Sequence, residues 1–290
     1  MRAATEGVGE WISVPLPEVL SRPFLSIVVP AYNEQAVIGR FIDSVHRELP
    51  SFSVTWEAII VDDGSADGTA AIARDAARSD ERIRLIEAPH LGKGAAVRQG
   101  FLAARGEWVL MADADLSMPW SNLTRFLAAI SERDAPQVVI GSREAPGAQR
   151  TGEAWSRRIS GRVFNAVVRV FAVPGIRDSQ CGYKMLSADA VTALAPHLTI
   201  DGFAFDVQLL YLARLAGFRV QEVGITCHCR QDSRVRMRAG IASVIDVMRV
   251  RMMGQARRLR EAGATSYSGP PAHPVPASSR DTHRDSSCTP

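Results

Sequence analysis

The sequence is short of cysteine, of long apolar runs and of net charge, and each shortage removes a class of protein. Four cysteines in 290 residues cannot frame a disulfide-stapled fold, so a reducing cytosol is the expected setting. Nowhere do the roughly 18 apolar residues that a membrane-crossing helix needs run together. The first residues, with Glu6 and Glu10 and no apolar centre, do not read as a secretory signal. The chain is therefore expected not to span a membrane. A net charge of +3 is too small for general polyanion binding, and the basic segment near the C-terminus lacks the interleaved aromatics of a nucleic-acid module. Cys227, His228 and Cys229 sit together without a second pair at zinc-site spacing, which favours buried thiols on a strand over a structural metal.

What is present is a repeated unit: an apolar run of strand length, a polar turn, then apolar residues at helical spacing. The runs lie at 25–29, 57–61, 83–88, 108–111 and 138–140. Val37, Ile38, Phe41, Ile42, Val45 and Leu49 mark the first helix; a second reaches about residue 78, a third runs through Val97 and Phe101, and Pro119 opens a fourth over Leu123, Phe126, Leu127 and Ile130. Such alternation predicts an α/β fold with a mostly parallel sheet, helices on both faces and ligands at the carboxyl ends of the strands. The first turn, Ala31-Tyr32-Asn33-Glu34, has no glycine. The cradle that a dinucleotide requires there is absent, which disfavours an NAD enzyme.

Chemistry gathers where the runs end. Asp113 and Asp115 follow the fourth run one residue apart, and two acids that close repel unless a cation lies between them. A hard divalent ion, Mg²⁺ or Mn²⁺, takes such carboxylates together with substrate phosphates; the plain alternative is a solvated turn. After the second run, Asp62 and Asp63 could accept hydrogen bonds from a base or ribose, while Asp62 and Asp67 could equally shape a turn and cap the helix; for Asp63 both roles stay open. Gly92-Lys93-Gly94 would free backbone N–H groups beside a lysine for a phosphate at a helix N-terminus. The fifth run ends in Arg143.

The rest of the chain is less regular. Residues 1–23 read as an irregular arm, 147–152 as a flexible loop and 155–172 as a helix carrying Arg157, Arg158, Arg162 and Arg169, either solvated or suited to a phosphate-headed lipid. Ser187 caps a short helix to about 194, Asp206 begins an apolar helix to 216, and 218–226 forms the last strand. The catalytic region ends near 228. A basic extension, 229–262, contains a helix from about 240 to 260 with Ile241, Ile245, Met248 and Met252 on one face and arginines off it. That helix is either interfacial or packed on its own domain or a partner chain, which leaves a homo-oligomer possible. Residues 263–290 read as a disordered tail.

Val28-Val29-Pro30-Ala31-Tyr32-Asn33-Glu34, Val61-Asp62-Asp63-Gly64-Ser65, Gly92-Lys93-Gly94 and Asp113-Ala114-Asp115, in that order, resemble the inverting family 2 glycosyltransferases of the GT-A fold. Arg177-Asp178-Ser179-Gln180-Cys181-Gly182-Tyr183-Lys184 and Phe203-Ala204-Phe205-Asp206 resemble their polyprenyl (dolichyl) phosphate branch, closer to β-glucosyltransferases than to mannose synthases. The likeness spans roughly residues 24–235. It implies a nucleotide-sugar donor (UDP-glucose or GDP-mannose), a divalent ion, a polyprenyl phosphate acceptor and a β-linked product; with the basic extension, peripheral attachment at the cytoplasmic face of a membrane is expected. It assigns Pro30, Tyr32, Glu34 and Asp63, with Asp62 beside it, to the nucleoside. Asp113 and Asp115, flanking Ala114, would hold the metal, with Lys93 or Arg234 at the diphosphate. Arg143 and one of Arg157 or Arg158 would face the acceptor phosphate. Asp178 would be a general base or an acceptor for a sugar hydroxyl, the second being favoured because a phosphate acceptor is already anionic near neutral pH. Two residues differ from the usual pattern: Gln208 stands for Glu, and Arg234 for Lys, a planar fork for a point charge. Competing expectations are a same-fold transferase with a soluble or polysaccharide acceptor and a catalytically silent nucleotide-sugar-binding module.

Overall fold

The computed structural model describes residues 22–152 and 173–228. In chain order the elements are β1 (Leu25–Ala31), α1 (Gln35–Glu48), β2 (Trp56–Asp63), α2 (Thr69–Ser79), β3 (Ile83–Ala88), α3 (Lys93–Ala103), β4 (Trp108–Met111), α4 (Asn122–Ile130) and β5 (Val138–Ser142). They are followed by β6 (Gln149–Thr151), β7 (Lys184–Ser187), α5 (Ala188–Leu194), α6 (Phe205–Leu215), β8 (Val220–Gly224) and β9 (Thr226–His228). Seven strands form one sheet in the order β3-β2-β1-β4-β7-β5-β8, and β6 pairs with β9 in a separate ribbon. β1 to β4 are parallel; β7 lies antiparallel between β4 and β5.

The interior strands alternate between two apolar layers. Leu25, Ile27 and Val29 of β1, with Ala58 and Ile60 of β2, pack with Ile38 and Phe41 of α1. Val28, Ile59 and Val61 pack with Ala96, Val97 and Phe101 of α3. Each of the Leu, Ile, Val and Phe side chains among them, taken fully from water, contributes about 1.5–3 kcal/mol. Pro30 offers no N–H to a ladder and is tolerated in an interior strand because the register of β1 with β4 stops at Val28–Met111.

Topology places the site. From β1 the chain builds β2 and β3 on one side and then β4 on the other, and that reversal opens a crevice outside the carboxyl ends of β1 and β4. Tyr32 follows directly from the end of β1, and Asp113 stands two residues beyond the end of β4. Because β7 runs against its neighbours, with Lys184 level with Met111 and Ile140, the residues just before it arrive at the same end of the sheet. Sequence periodicity does not foresee β7, a four-residue strand that opens on a lysine. The loop expected at 147–152 contains β6, and the strand expected over 218–226 divides at Ile225. At that break a side chain on Gly224 would overlap the Pro146 carbonyl, and Ile225 O instead accepts from Gln149 N at 2.9 Å. Ser187 does cap α5, its hydroxyl accepting from Ala190 N at 3.2 Å.

A polar cluster ties the opposite end of the sheet. Buried Glu57 accepts from Ser26 Oγ (2.6 Å), the Arg105 amide (2.8 Å) and Arg84 Nη1 (3.0 Å). Glu57→Ala removes the acceptor these three donors share, although the Arg105 amide keeps Ser26 Oγ (3.1 Å) and Arg84 Nη1 keeps the Ala103 carbonyl (2.9 Å), and is expected to cost about 1–3 kcal/mol, read as a lower urea midpoint at unchanged slope; an unmoved midpoint would show the cluster to be energetically idle. Among the described residues no helix is long and apolar enough to cross a membrane.

Candidate active site

The loops that follow β1 and β2 are laced together into one wall. Asn33, in the left-handed region at φ 53°, donates its amide to Ser65 Oγ and accepts from Ala66 N, each at 2.9 Å. Glu34 N reaches Thr69 Oγ1 at 2.8 Å, and Gln35 Oε1 accepts from Gly68 N at 2.9 Å. Asp63 is committed to the next loop: Leu91 N (2.9 Å) and Gly92 N (3.0 and 3.1 Å) donate to its carboxylate, and the His90 ring bonds it at 2.8 Å. Of the two roles open to Asp63, these contacts display the shaping of a loop. Asp62 differs. Its Oδ2 accepts from Ser65 N at 3.1 Å, but Oδ1 is buried with no hydrogen-bond partner among the described residues. A buried acceptor left unpaired is costly, and a ribose hydroxyl or a base N–H would satisfy it. Tyr32, 40% exposed, stacks on His90 with ring centroids 3.9 Å apart and planes 13° from parallel; Pro30 lies half-buried just before it.

The glycine amides at the start of α3, expected from the sequence to be free, are engaged by other loops. Gly94 N (2.6 Å) and Ala95 N (3.3 Å) donate to Asp201 O, while the amides of Leu91 and Gly92 are taken by Asp63. A Cβ on Gly92, at φ 124°, would meet Asp201 O at 2.6 Å, and one on Gly94 would overlap the Ile200 carbonyl. The loop carrying Asp201 is held by Gln208, whose Oε1 accepts from the amides of Thr199 and Ile200 at 3.0 Å each while Nε2 donates to Thr199 Oγ1 at 3.0 Å. An ionised glutamate could accept but not donate, so the amide suits this double task.

Within that frame stands Asp113. The Lys93 ammonium lies 2.6 Å from its Oδ1, and its Oδ2 lies so close to Gly182 that any Cβ there would overlap it. Asp115 turns its carboxylate to Ser117, Oδ1 accepting the amide at 2.9 Å and Oδ2 the hydroxyl at 2.5 Å. The intervening Leu116 has φ 56°. Ser117 O accepts in turn from His228 N at 2.7 Å, so β9 steadies this loop. Beneath it lies a pair that sequence reasoning left out of the site: Lys184 and Asp206, both buried, 2.5 Å apart. Burial alone would lower the Lys93 ammonium, but Asp113, then Asp206, outweigh it and raise it above its ordinary value; Lys93 is a standing cation. Burial pushes the Asp206 carboxyl up against the opposing pull of Lys184 and Lys93.

Asp113 and Asp115 therefore supply hard oxygens on one short loop, and a cation, the ammonium of Lys93, already rests on one of them. No third His, Cys, Asp or Glu forms a metal-binding group with them among the described residues. A hard ion taking one or two carboxylates and completing its shell with phosphate oxygens and water fits such a set.

On the far side of β7, Asp178 and Arg143 are paired with each other. Arg143 Nε and Nη2 donate to the two Asp178 oxygens at 2.7 and 2.9 Å, and the Arg143 amide adds a third bond at 3.0 Å. The Arg177 and Asp178 amides both donate to Glu222 Oε1 at 2.9 Å. Asp178 is wholly buried, whereas the Arg143 side chain stays 29% exposed. Burial works to raise the Asp178 carboxyl, yet the Arg143 charge and its hydrogen bonds prevail and hold it below the ordinary carboxylate value. That describes a weakly basic anion that orients a guanidinium. Burial pushes the Cys181 thiol up to about 12, so it stays protonated; Cys227 is buried too, and Cys229 lies outside the described residues. Arg157, Arg158 and Arg234 lie outside them as well, together with the helices expected over 155–172 and 240–260.

Residues 26–194 match the family model for glycosyl transferase family 2. The dolichyl-phosphate beta-glucosyltransferase ALG5C of Trichomonas vaginalis is 33% identical over 251 residues, covering 82% of this chain and 74% of that protein. The dolichyl-phosphate beta-glucosyltransferase of Saccharomyces cerevisiae is 32% identical, covering 74% and 70%. Among solved structures, glucosyl-3-phosphoglycerate synthase from Mycobacterium tuberculosis, crystallised with Mn²⁺, uridine diphosphate and glucosyl-3-phosphoglycerate, superposes with a TM-score of 0.59 at 20% identity over 80% of this chain and 79% of that one, a likeness of fold. The mostly parallel sheet flanked by helices is thus the GT-A architecture that the motifs implied. With the matched stretch covering more than half of the residues and relatives above 30% identity along most of them, the chain is a glycosyltransferase and belongs to glycosyl transferase family 2.

Proposed function

We propose that this enzyme moves a glucosyl unit from UDP-glucose to a polyprenyl phosphate of the dolichyl type, with inversion and with a divalent ion bound at Asp113 and Asp115. The observation that carries the reading is the contact of Gly182 with Asp113. It sets the segment that begins at Asp178, the partner of Arg143, beside the carboxylate on which a donor diphosphate would depend. The names borne by the relatives, dolichyl-phosphate beta-glucosyltransferases, support the choice of glucose and lipid phosphate. The Mn²⁺ and uridine diphosphate held by the structural neighbour support the ion and the base.

In this reading the wall formed by Asn33, Ser65 and Asp62 receives the nucleoside, with the unpaired Asp62 Oδ1 accepting from base or ribose and Tyr32 at its edge. Lys93 faces the diphosphate and offsets the charge that builds as it leaves. A bound divalent ion supplies Lewis-acid stabilisation of that same charge. Arg143, oriented by Asp178, offers its exposed edge to the acceptor phosphate. That phosphate is anionic already and needs no proton removed, which agrees with an Asp178 that is buried, paired and weakly basic. The acceptor oxygen attacks the anomeric carbon opposite the leaving diphosphate, and the configuration inverts. Arg157 or Arg158 would join Arg143, and Arg234 would join Lys93. The arginines of 229–262 would hold the protein on the cytoplasmic surface of a membrane, each contributing on the order of 1 kcal/mol near an anionic leaflet.

The test is to incubate the purified chain with radiolabelled UDP-glucose or GDP-mannose, a short polyprenyl phosphate and Mn²⁺ or Mg²⁺, and to count label entering the organic phase. Glucose label is expected there only when both lipid phosphate and divalent ion are present. Label confined to water-soluble products would overturn the lipid acceptor, preference for GDP-mannose would overturn the donor, and full activity in EDTA would overturn the ion.

A further inference from the structure

Asp113 has one usable oxygen, and a lysine is already on it. Its Oδ2 is pressed against the Gly182 backbone, which shields that side from a ligand's coordination shell. Its Oδ1 carries the Lys93 ammonium at 2.6 Å. Both side chains keep an open edge, Asp113 at 30% and Lys93 at 20% exposure, so the pair can be reached from the crevice. Resting on the reading that Asp113 ligates a divalent ion, we propose that Lys93 is an exchangeable counter-cation. It holds the ion's place on Asp113 in the unliganded enzyme and is handed to the donor diphosphate when the ion binds.

The surroundings make exchange feasible and give it a direction. The backbone beneath Lys93 is fixed, with Leu91 and Gly92 tied to Asp63 and Gly94 tied to Asp201. Only the four-carbon stem need move, and side-chain rotamer changes take picoseconds to nanoseconds where there is room. The other acids acting on Lys93 are Asp206 and Asp115; Asp206 is already engaged by Lys184 at 2.5 Å, and Asp115 would share the ion. A displaced ammonium therefore finds only a half-compensated partner until a diphosphate arrives. Ion alone must expel Lys93 into a poor environment, whereas ion with diphosphate gives every charge a partner. Binding of the two is thereby coupled, and the coupling must be reciprocal.

The readout is Mn²⁺ binding to the full-length chain at neutral pH without turnover, by calorimetry or by the electron paramagnetic resonance signal of free Mn²⁺, with and without UDP. In the absence of UDP, Lys93→Met is expected to bind Mn²⁺ about tenfold more tightly than the natural chain, and the further gain on adding UDP is expected to shrink by a similar factor. Lys93→Gln, which keeps a hydrogen bond without the charge, should behave likewise, while Lys93→Arg should bind Mn²⁺ no more tightly than the natural chain. Equal or weaker Mn²⁺ binding by both neutral variants, with Asp113→Asn abolishing it, would overturn the exchange and leave the metal reading standing. Unchanged Mn²⁺ affinity in Asp113→Asn would remove the metal from Asp113 and take the exchange down with it.

Discussion

Asp113→Asn is expected to lower glucosyl transfer at least a thousandfold at saturating Mn²⁺ and donor, while leaving the fold in place. The substitution keeps size and shape, and Asp113 sits on an open edge of the crevice rather than in the core, so its stability cost should not exceed about 1–2 kcal/mol. What it removes is charge at one point. Asp113 carries Lys93 on Oδ1, and in the proposed mechanism its carboxylate would hold the ion that would offset charge on the leaving diphosphate. Stabilising developing charge in a water-poor site is typically the largest single contribution to catalysis, about 2.7–4 kcal/mol for one donor to an oxyanion. Loss of an ion ligand together with misplacement of Lys93 exceeds that for one hydrogen bond. The check is an initial-rate assay beside circular dichroism and a thermal melt. A variant that folds and keeps a tenth of the activity would remove Asp113 from the chemistry.

Asp113 was legible in the sequence because it obeys a local rule: polar residues directly after an apolar run of strand length stand at a carboxyl end, and carboxyl ends converge. Asp62, Asp63, Asp115 and Arg143 come by the same rule, as do β1 to β5, while Lys93 comes by its place between two glycines at a helix start. What stayed hidden is what contacts distant in sequence decide. β7 is four residues long, and its place between β4 and β5 follows from pairing with Val109, Leu110 and Val139, which no window of sequence contains. The amides of α3 looked free because their partners, Asp63 and the Asp201 carbonyl, come from separate loops. Asp178 looked like an available acid because Arg143 lies 35 residues earlier. Lys184 and Asp206 passed as motif members with no assigned task, since neither the apolar run around the lysine nor the helix begun by the aspartate shows that the two charges meet. Their one visible signal was a charge opening an otherwise apolar stretch, an expensive choice unless a partner is waiting.

Gly182 is the position where that hidden layer can be struck with a single methyl group. Its φ is not in the left-handed region, so the requirement for glycine there is one of space. The Cβ of an alanine would overlap Asp113 Oδ2 and approach the carboxyl carbon to 2.7 Å. One side must give. The Gly182 backbone cannot retreat easily, because Cys181 and Tyr183 on either side are buried, Gly141 N donates to Tyr183 O at 2.8 Å, and Lys184 starts β7 between two partner strands. Asp113, on an open loop, is the part that moves, and in moving it leaves the position that Lys93 and Gly182 together define. Displacement of a reacting group by about 1 Å commonly costs a hundredfold in rate. Gly182→Ala is accordingly expected to lose about a hundredfold or more in kcat and to weaken Mn²⁺ binding, with melting temperature lowered by only a few degrees. Gly182→Ser should be at least as damaging, since the hydroxyl adds bulk to the same overlap. Gly175, where a Cβ would meet nothing within 4 Å, supplies the comparison: Gly175→Ala strains a backbone at φ 86° and should lower stability without touching Mn²⁺ affinity. Natural kcat and Mn²⁺ binding in folded Gly182→Ala would mean that Asp113 can yield without consequence, and that its fixed pose is not what the reaction uses.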